Sequence, residues 1–179
     1  YETDALPLRL SNAEEQLINP LIMKATLVDG KVETALAINE VSLLRAGPQA
    51  AKLQIWVDNR QRMDELVCDG VLVATPAGST AYNYSAHGPI LPMGADVLAM
   101  TALNAYRPRR WRGALLPKTA VVRIDVLDNT KRPVMADADS ISFKNVKKVE
   151  ISSETKIQHR ILFNEGHGLD ERLIQEQFV

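Results

Sequence analysis

Short runs of hydrophobic residues, separated by turn-forming residues, extend along most of the chain. Residues 21–27 and 31–38 are two such runs, and the Asp-Gly pair between them is a strong signal for a β-hairpin. Residues 52–57 alternate polar and apolar side chains, and residues 63–68 return after a polar turn, which predicts a second hairpin. The pattern therefore indicates strands that pair antiparallel with their neighbours in the sequence.

The last third of the chain continues this pattern. After Thr119, short runs rich in β-branched residues are separated by turns, at 120–127, 133–136, 141–143 and 146–151. This density of strands favours an antiparallel β-sandwich over an alternation of strands and helices. The predicted fold class is therefore mainly β, with a few short helices.

Three other segments are predicted to be helical or irregular. Leucine and isoleucine recur among polar residues up to Ile18, which predicts a short helix that Asp4 could cap and that ends before Pro20. Residues 95–106 are rich in alanine and are expected to form a short helix or an irregular segment, and residues 169–178 are expected to form an amphipathic helix. The chain thus divides into a helical lead-in at 1–20, a β-sandwich domain at 21–165 and a C-terminal helix at 166–179.

Composition limits the classes of function. The chain has 179 residues, of which 46% are hydrophobic and 24% charged, as is usual for a globular domain with a core. A net charge of −1 argues against a protein whose whole surface binds nucleic acid, and no apolar run is long enough to cross a membrane. The single cysteine, Cys68, excludes an internal disulfide and suits a reducing cytoplasm. The histidines lack the spacing of metal ligands, so no metal site built by the protein is expected.

One basic cluster, residues 107–112, contains four arginines and Trp111. Arginines beside an aromatic ring can bind phosphates or nucleic acid. The alternative is a solvated loop or a subunit contact. The near-neutral total charge favours this alternative or a local phosphate role.

The stretch from Asp69 to Ser85 is the most informative part of the sequence. Residues 71–74 form a short apolar run that is typical of a buried strand, and the proline that follows ends it. Gly78 allows a sharp turn, after which a helix is predicted from Ala81, capped by one of the two hydroxyl residues before it. Free backbone amides at the start of such a helix would favour a polar or anionic ligand.

Two side chains of that predicted helix, Tyr82 and Ser85, share a face beside the turn. An aromatic plane next to hydroxyl and amide groups could hold a nucleotide. Spacing alone also fits a well-capped turn in a β-rich domain with no ligand, since glycine-rich turns are common.

The same stretch carries a resemblance to a known family. From Asp69 it reads Asp-Gly, then Thr-Pro-Ala-Gly-Ser-Thr-Ala-Tyr, then Ser-Ala-His-Gly-Pro, and this run resembles the NAD-binding signature of NAD kinases. The Asn-Glu pair at Asn39 and Glu40 is similar to a second family motif that precedes it. The resemblance covers nearly the whole chain. It implies the β-sandwich C-terminal domain of a bacterial two-domain kinase, whose N-terminal α/β domain is largely missing here.

The resemblance implies an activity. NAD kinases transfer the γ-phosphoryl group of ATP, or in some members of inorganic polyphosphate, to the adenosine 2′-hydroxyl of NAD and so make NADP. A magnesium ion carried with ATP, a homodimer or homotetramer, and no nucleic-acid or membrane partner are implied as well. The family's catalytic base is an aspartate in a Gly-Gly-Asp-Gly loop, which is absent from this sequence and is expected upstream of Tyr1. No catalytic residue is therefore assigned, and the fragment is expected to be inactive alone.

The resemblance also implies which residues bind NAD. Asn39 and Glu40 would hold the adenine and ribose, and Asp69 would bind the nicotinamide end across a subunit boundary. Tyr82 would supply the stacking surface. The wall and floor of the pocket would be formed by Thr80, Ala81, Tyr82 and Ser85.

Three further positions are carried over from the family. Ala77 stands where many relatives have threonine or serine, so one hydroxyl contact is lost. Ala102 would line the adenine pocket. Asp137 would lie near the bound NAD, although Ala138 departs from the family's Asp-Gly at this point.

Two other classes of function remain open at this stage. Diacylglycerol and sphingosine kinases have a similar architecture but would need an apolar acyl pocket where this chain has Tyr82 among hydroxyl groups. The second class is non-enzymatic: a nucleotide-binding fragment, or a module that contacts nucleic acid through residues 107–112. Phosphate-backbone binding falls steeply with salt, so salt-insensitive affinity for NAD would separate these readings.

Overall fold

Most of the computed structural model, which describes residues 5–164, 168, 171, 174, 175 and 178, is antiparallel β-sheet. The described strands form two six-stranded sheets and one two-stranded ribbon. In chain order they are β1 (Glu14–Ile18), β2 (Leu21–Leu27), β3 (Val32–Ala37), β4 (Glu40–Arg45), β5 (Ala51–Val57), β6 (Arg60–Cys68), β7 (Gly70–Ala74), β8 (Val97–Leu103), β9 (Gly113–Pro117), β10 (Val122–Val126), β11 (Val134–Ala138), β12 (Ile141–Phe143), β13 (Val146–Ser153) and β14 (His159–Phe163). Within residues 5–164 the helices are α1 (Leu6–Ser11), a 3₁₀ helix (Ala77–Thr80) and α2 (Tyr82–Ser85). The predicted fold class is confirmed.

The strand order follows from local hairpins joined by longer crossings. The first sheet has the order β3-β2-β13-β10-β5-β6, and the second has the order β12-β11-β4-β7-β8-β9. Both predicted hairpins, β2–β3 and β5–β6, are present and antiparallel. Every other pairing in the two sheets is antiparallel as well. The connection from β3 to β4 crosses from one sheet to the other and contains Asn39.

The main core lies between the two sheets. Alternate residues of β5, including Leu53 and Ile55, face this core, while the residues between them are partly exposed. All five residues of β7 are buried, because the segment that follows β7 covers the outer face of the second sheet. On that outer face Leu72 and Ala74 form a small second cluster with Leu103. This covering explains why β7 reads as a continuous apolar run.

The N-terminal prediction is partly wrong. Helix α1 ends at Ser11, and β1 then pairs with β14, with Glu14 opposite Phe163 and Ile18 opposite His159. A partner strand about 145 residues later in the chain overrides the local pattern, which had suggested a helix up to Ile18. The helix is preceded by Ala5, whose side chain makes no cap, and Asp4 lies outside the described residues.

The expectation for residues 95–106 is also wrong. Seven of these residues form β8, which lies between β7 and β9 in the second sheet. Alanine favours helices in isolation, but a small side chain is well accommodated where the sheet is covered on both faces, and Ala99 is fully buried there. The remaining predicted helix, at 169–178, falls mostly outside the described residues.

Within the described part of the chain, no helix is long and apolar enough to cross a membrane.

Candidate functional site

The turn after β7 is built differently from the capped helix predicted there. The 3₁₀ helix and α2 follow each other, and the residue between them, Ala81, provides no side-chain cap. The Ser79 hydroxyl donates to the carbonyl of Pro76 at 2.7 Å and accepts from the amide of Leu91 at 3.0 Å. Ser79 is fully buried and ties the start of the turn to the segment that leaves it. The predicted capping role of Ser79 or Thr80 is therefore wrong.

The expected set of free amides is not present either. The amide of Gly78 donates to the Thr75 hydroxyl at 3.0 Å, and the amide of Ala81 donates to the carbonyl of Gly78 at 3.0 Å. The amide of Ser79 donates to Pro76 at 3.2 Å. These three amides are therefore not free to bind an anion, and each helix has only four residues.

The turn brings the two sequence motifs together. The Thr75 hydroxyl donates to the carbonyl of Ile38 at 2.7 Å, and the Thr75 amide donates to the carbonyl of Asn39 at 2.9 Å. Gly78 lies directly against Asn39, where an added Cβ would be 2.2 Å from the Asn39 carbonyl oxygen. The stretch around Asn39 and the stretch around Tyr82 therefore meet at one place.

Asn83 anchors α2 to the sheet and was missed by the sequence analysis. Its side chain is fully buried, and its amide group donates to the carbonyls of Ser79 at 3.1 Å and Pro89 at 2.9 Å. Its carbonyl oxygen accepts from the hydroxyl of Thr101, on β8, at 2.6 Å. The sequence offers one signal of this role, since Asn83 is a polar residue in the motif and a polar side chain needs hydrogen-bond partners when it is buried.

Strand pairing places two carboxylates on the outer face of the second sheet. Glu40 lies opposite Ala74, and Ser42 lies opposite both Leu72 and Asp137. Residues two apart on a strand share a face, as do residues directly opposite each other. Glu40 and Asp137 therefore project on the side that carries Leu72 and Ala74, and Asp137 there accepts a hydrogen bond from Ser142.

Glu40 is the most perturbed carboxyl group of this face. Its Oε2 atom is buried and has no hydrogen-bond partner within the described part of the chain. Burial, followed by the negative charge of Asp139, raises the pKa of Glu40 to about 7, and the backbone amide of Tyr82 opposes this by hydrogen bonding to the carboxylate. A carboxyl group that changes protonation near neutral pH can accept a hydrogen bond from a ligand or donate one to it.

This raised pKa predicts a pH dependence of stability. In the unfolded chain Glu40 ionises around pH 4.5, whereas in the folded protein it keeps its proton up to about pH 7. The folded state binds more protons in this window, so the stability contribution of Glu40 is present below about pH 4.5 and is lost as the pH rises toward 7. Glu40→Gln removes this titration. We therefore expect the free energy of unfolding of the variant to rise relative to that of the wild type as the pH increases from about 4.5 to about 7. Urea unfolding at a series of pH values measures the difference.

Glu150→Gln provides a contrast of opposite sign. The hydrogen bond from Lys148 holds the pKa of Glu150 below its usual value, so this variant should lose stability relative to the wild type as the pH rises through the acid range. If the stability of both variants relative to the wild type changed in the same direction with pH, the raised pKa assigned to Glu40 would be wrong.

Tyr82 lies beside these carboxylates with its side chain partly open to solvent, at 39% exposure. Partial burial raises the pKa of Tyr82, and the negative charges of Glu40, Asp137 and Asp69 add to this in that order. All three carboxylates are therefore close enough to Tyr82 to act on it electrostatically. The site combines an accessible aromatic ring with an acidic surround.

Asp69 stands at the other end of β7. Five strand residues separate it from Thr75, and at about 3.3 Å per residue this places the two backbones roughly 20 Å apart. Asn104 donates to its Oδ2 at 2.9 Å and Arg45 donates to its Oδ1 at 2.6 Å, and these bonds hold the pKa of Asp69 below its usual value. The sequence analysis missed both partners, which lie 24 and 35 residues away along the chain.

The remaining predicted site residues fall into two groups. Thr80 and Ala81 are partly buried and Ser85 is exposed, all in the turn that carries Tyr82. Ala77 packs instead against a small cluster around Ile18 and lines a cavity of about 30 Å³.

Ala102 is not brought together with Tyr82. It pairs with Val71, which belongs to the core between the sheets, so it faces away from the outer surface. Its predicted contact with the adenine stays a prediction, as does the binding of NAD by the other residues named above.

Among the described residues, no group of three or more histidine, cysteine, aspartate or glutamate side chains could hold a metal ion. In the basic cluster Arg109 lies 6.0 Å from the centre of the Tyr106 ring, a weak cation–π contact.

Comparison with known proteins agrees with this architecture. Residues 38–158 match the family described as the ATP-NAD kinase C-terminal domain. The chain is 68% identical over 179 residues to an NAD kinase of Cereibacter sphaeroides, all of this chain matching 70% of that protein. It is 54% identical over 179 residues to an NAD kinase of Hyphomonas neptunium, with the same coverage, and 53% identical over 178 residues to one of Rhizobium meliloti, covering 99% of this chain and 69% of that protein.

Solved structures show the same fold. A yeast NADH kinase complexed with NADH superposes with a TM-score of 0.83 at 22% identity, covering 99% of this chain and 54% of that one. An NAD kinase from Archaeoglobus fulgidus in complex with ATP superposes with a TM-score of 0.71 at 20% identity, covering 96% of this chain and 61% of that one. The chain thus spans about 70% of the length of its curated relatives and between half and two thirds of these structures. On the family match and these identities, the chain belongs to the NAD kinase family and corresponds to its C-terminal domain.

Proposed function

We propose that this chain forms the NAD-binding half of a kinase that transfers the γ-phosphoryl group of ATP, or of polyphosphate, to the adenosine 2′-hydroxyl of NAD. The observation that carries the proposal is the contact between the two motifs. Gly78 packs on the backbone of Asn39, and the Tyr82 amide hydrogen-bonds to Glu40, so the two motifs are in direct contact. The yeast relative was solved with NADH and the archaeal relative with ATP, which agrees with a dinucleotide acceptor and a nucleotide donor.

The chemistry of the outer face suits the nucleoside part of NAD. Glu40 and Asp137 can accept hydrogen bonds from ribose hydroxyls and from the exocyclic amino group of adenine, and Asn39 can both donate and accept. The Tyr82 ring offers a plane on which a base can stack. Carboxylates repel phosphates, so we place the ribose and adenine against these residues and the pyrophosphate away from them. The same carboxylates disfavour the acyl pocket that a lipid kinase would need.

The other residues complete the proposed pocket. Thr80, Ala81 and Ser85 form its wall in the turn around Tyr82. Asp69 follows β6 at the other end of β7, and we propose that it binds the nicotinamide end of NAD across a subunit boundary in a homodimer or homotetramer. For Ala102 we keep the proposed place beside the adenine. Ala77 packs against the cluster around Ile18, and we propose that only its methyl group contacts NAD.

The chain supplies no catalytic base in this proposal. Its 179 residues contain no Gly-Gly-Asp-Gly run, so the base is assigned to another part of the protein and the magnesium ion is assigned to the incoming ATP. The Cys68 thiol has no part in the chemistry, because burial raises its pKa to about 12. A single buried cysteine suits a reducing compartment, and we place the protein in the cytoplasm.

Two substitutions test the proposed function. Asn39→Ala removes a hydrogen-bonding side chain and Tyr82→Ala removes the stacking plane, which is worth about 1–3 kcal/mol per base in other proteins. We therefore expect each to raise the dissociation constant for NAD by roughly 5- to 150-fold in isothermal titration calorimetry. Tyr84→Ala is the matched control, because Tyr84 is on the same helix and is 47% exposed. NAD affinity that is unchanged in both test variants, or lost equally in the control, would end the proposal.

A further inference from the structure

A carboxylate outside the predicted site organises the backbone that presents Asn39 and Glu40. Asp139 follows β11 at the turn into β12 and accepts hydrogen bonds from three consecutive backbone amides. Its Oδ2 binds the amide of Ile38 at 2.7 Å, and its Oδ1 binds those of Asn39 at 3.1 Å and Glu40 at 3.2 Å. In return, the amide of Asp139 donates to the carbonyl of Glu40 at 3.2 Å.

These bonds matter because two of the three amides have no partner in a neighbouring strand. The stretch around Asn39 connects β3 in the first sheet to β4 in the second, so its amides at Ile38 and Asn39 lie outside either sheet ladder. Thr75 and Gly78 hold the carbonyls of the same stretch from the opposite side. The stretch is therefore fixed through its amides by one aspartate and through its carbonyls by the turn that carries Tyr82.

Asp139 also adopts a backbone conformation that suits an aspartate. Its φ of +48° lies in the left-handed region, which aspartate, asparagine and glycine tolerate better than other residues. This conformation turns the carboxylate toward the amides across about one hundred residues of intervening chain. Only the first aspartate of the Asp-Ala-Asp run was predicted to be a site residue, because no local feature of the sequence shows which amides the second aspartate would reach.

We infer that Asp139 is a positioning residue for NAD binding, which holds the Asn39–Glu40 backbone in the conformation that presents both side chains to the ligand. The inference rests on the proposed function, because it assumes that these two side chains contact NAD. In this role Asp139 acts through the peptide groups of residues 38–40. Its negative charge has a second effect, since it favours the protonated form of Glu40.

The test uses the intact protein with a glycine and an asparagine at this position. Asp139→Gly removes the carboxylate without backbone strain, because glycine accepts a positive φ. Asp139→Asn keeps the size, the conformation and one acceptor oxygen, which can still serve the amides of Asn39 and Glu40, but it removes the charge. We expect the glycine variant to raise the dissociation constant for NAD about tenfold and the asparagine variant to have a smaller effect.

The chain offers a closely matched control in Asp58. This residue is also exposed with a positive φ, at +52°, and its Oδ1 accepts from the amide of Val121 at 2.9 Å while its own amide donates back to Val121 at 2.9 Å. It lies in the β5–β6 turn, on the first sheet. Asp58→Gly should leave NAD affinity within about twofold of the wild type.

Two readouts separate positioning from general stability. Hydrogen exchange in the absence of NAD should show reduced protection of the amides of residues 38–40 in Asp139→Gly, with protection elsewhere in the second sheet unchanged. The pH dependence of NAD affinity should shift in Asp139→Asn. Burial raises the pKa of Glu40 most, the charge of Asp139 adds to this and the amide of Tyr82 opposes it, so loss of that charge should move the midpoint to lower pH. This shift reports the charge of Asp139, whereas the loss of protection at residues 38–40 reports its hold on the backbone.

The outcomes distinguish the inference from the proposed function. If Asp139→Gly is folded and binds NAD as tightly as the wild type, while Tyr82→Ala binds it weakly, the inference is overturned and the proposed function stands. If the wild-type protein does not bind NAD, both fall. Weakened binding in Asp139→Gly, partial recovery in Asp139→Asn and no effect in Asp58→Gly would support the inference.

Discussion

Gly78→Ala is expected to weaken NAD binding and to lower the free energy of unfolding together. A Cβ at this position would lie 2.2 Å from the carbonyl oxygen of Asn39 and within 2.5 Å of two further backbone atoms of the same residue. These atoms belong to a stretch whose amides and carbonyls are both held by hydrogen bonds, so moving them aside costs free energy. We expect a loss of about 3 kcal/mol in the free energy of unfolding, at the upper end of overpacking effects.

The same displacement should reach the ligand site. If the turn moves away from Asn39, the Tyr82 amide also moves relative to Glu40, and the two motifs no longer face one position. We expect the dissociation constant for NAD to rise at least as much as in Tyr82→Ala. Chemical denaturation and calorimetric titration of the same samples measure the two effects.

Gly94→Ala is the control for this prediction. An added Cβ at Gly94 meets no atom within 4 Å, and neither glycine has a positive φ, so the steric contact is present only at Gly78 and backbone strain is expected at neither position. Gly94→Ala should stay within about 0.5 kcal/mol of the wild type. A Gly78→Ala variant as stable as Gly94→Ala would show that the contact with Asn39 is looser than described.

The parts of the fold that the sequence predicted are those set by local pattern. The β2–β3 and β5–β6 hairpins need only alternation and a turn between neighbouring runs, and both are present. The strand β1 was missed because its partner, β14, lies at the other end of the chain, and no local feature of residues 14–18 reveals that pairing. The strand β8 was missed because its alanines favour helix until a sheet covers them on both sides.

The candidate site shows the same division. The position of the turn after β7 followed from Pro76 and Gly78, which are local signals. The hydrogen bonds that fix it were not predicted, because they join Asp139 to Asn39 and Asn83 to Thr101 across 100 and 18 residues. Capping was assigned to the nearest hydroxyl groups, yet the Ser79 hydroxyl is used to bind Leu91 in the segment that leaves the turn. Propensity indicates where a turn lies but not which distant group completes it.

Asn83→Ala should be among the most destabilising substitutions outside the main core. It removes a side chain that is fully buried and makes three hydrogen bonds, and it leaves the Thr101 hydroxyl and the Pro89 carbonyl without this partner. Each buried polar group left unpaired costs about 1–3 kcal/mol, so we expect a loss of about 3 kcal/mol in the free energy of unfolding. The loss of the anchor between α2 and β8 should also weaken NAD binding, because Tyr82 is the first residue of that helix.

A double-mutant cycle with Thr101→Val shows whether the anchor is the cause. Valine replaces the 1% exposed Thr101 with little change of shape and removes only the hydroxyl that donates to Asn83. Since both single variants break that bond, the double variant should lose less stability than the sum of the two, by about 1 kcal/mol. Asn129→Ala is the matched control, because Asn129 accepts from the Thr130 hydroxyl in the same way but at an exposed position, and it should cost less than about 0.5 kcal/mol. Strict additivity of Asn83→Ala and Thr101→Val would mean that the bond between them contributes nothing, and α2 would then be held by the backbone carbonyls alone.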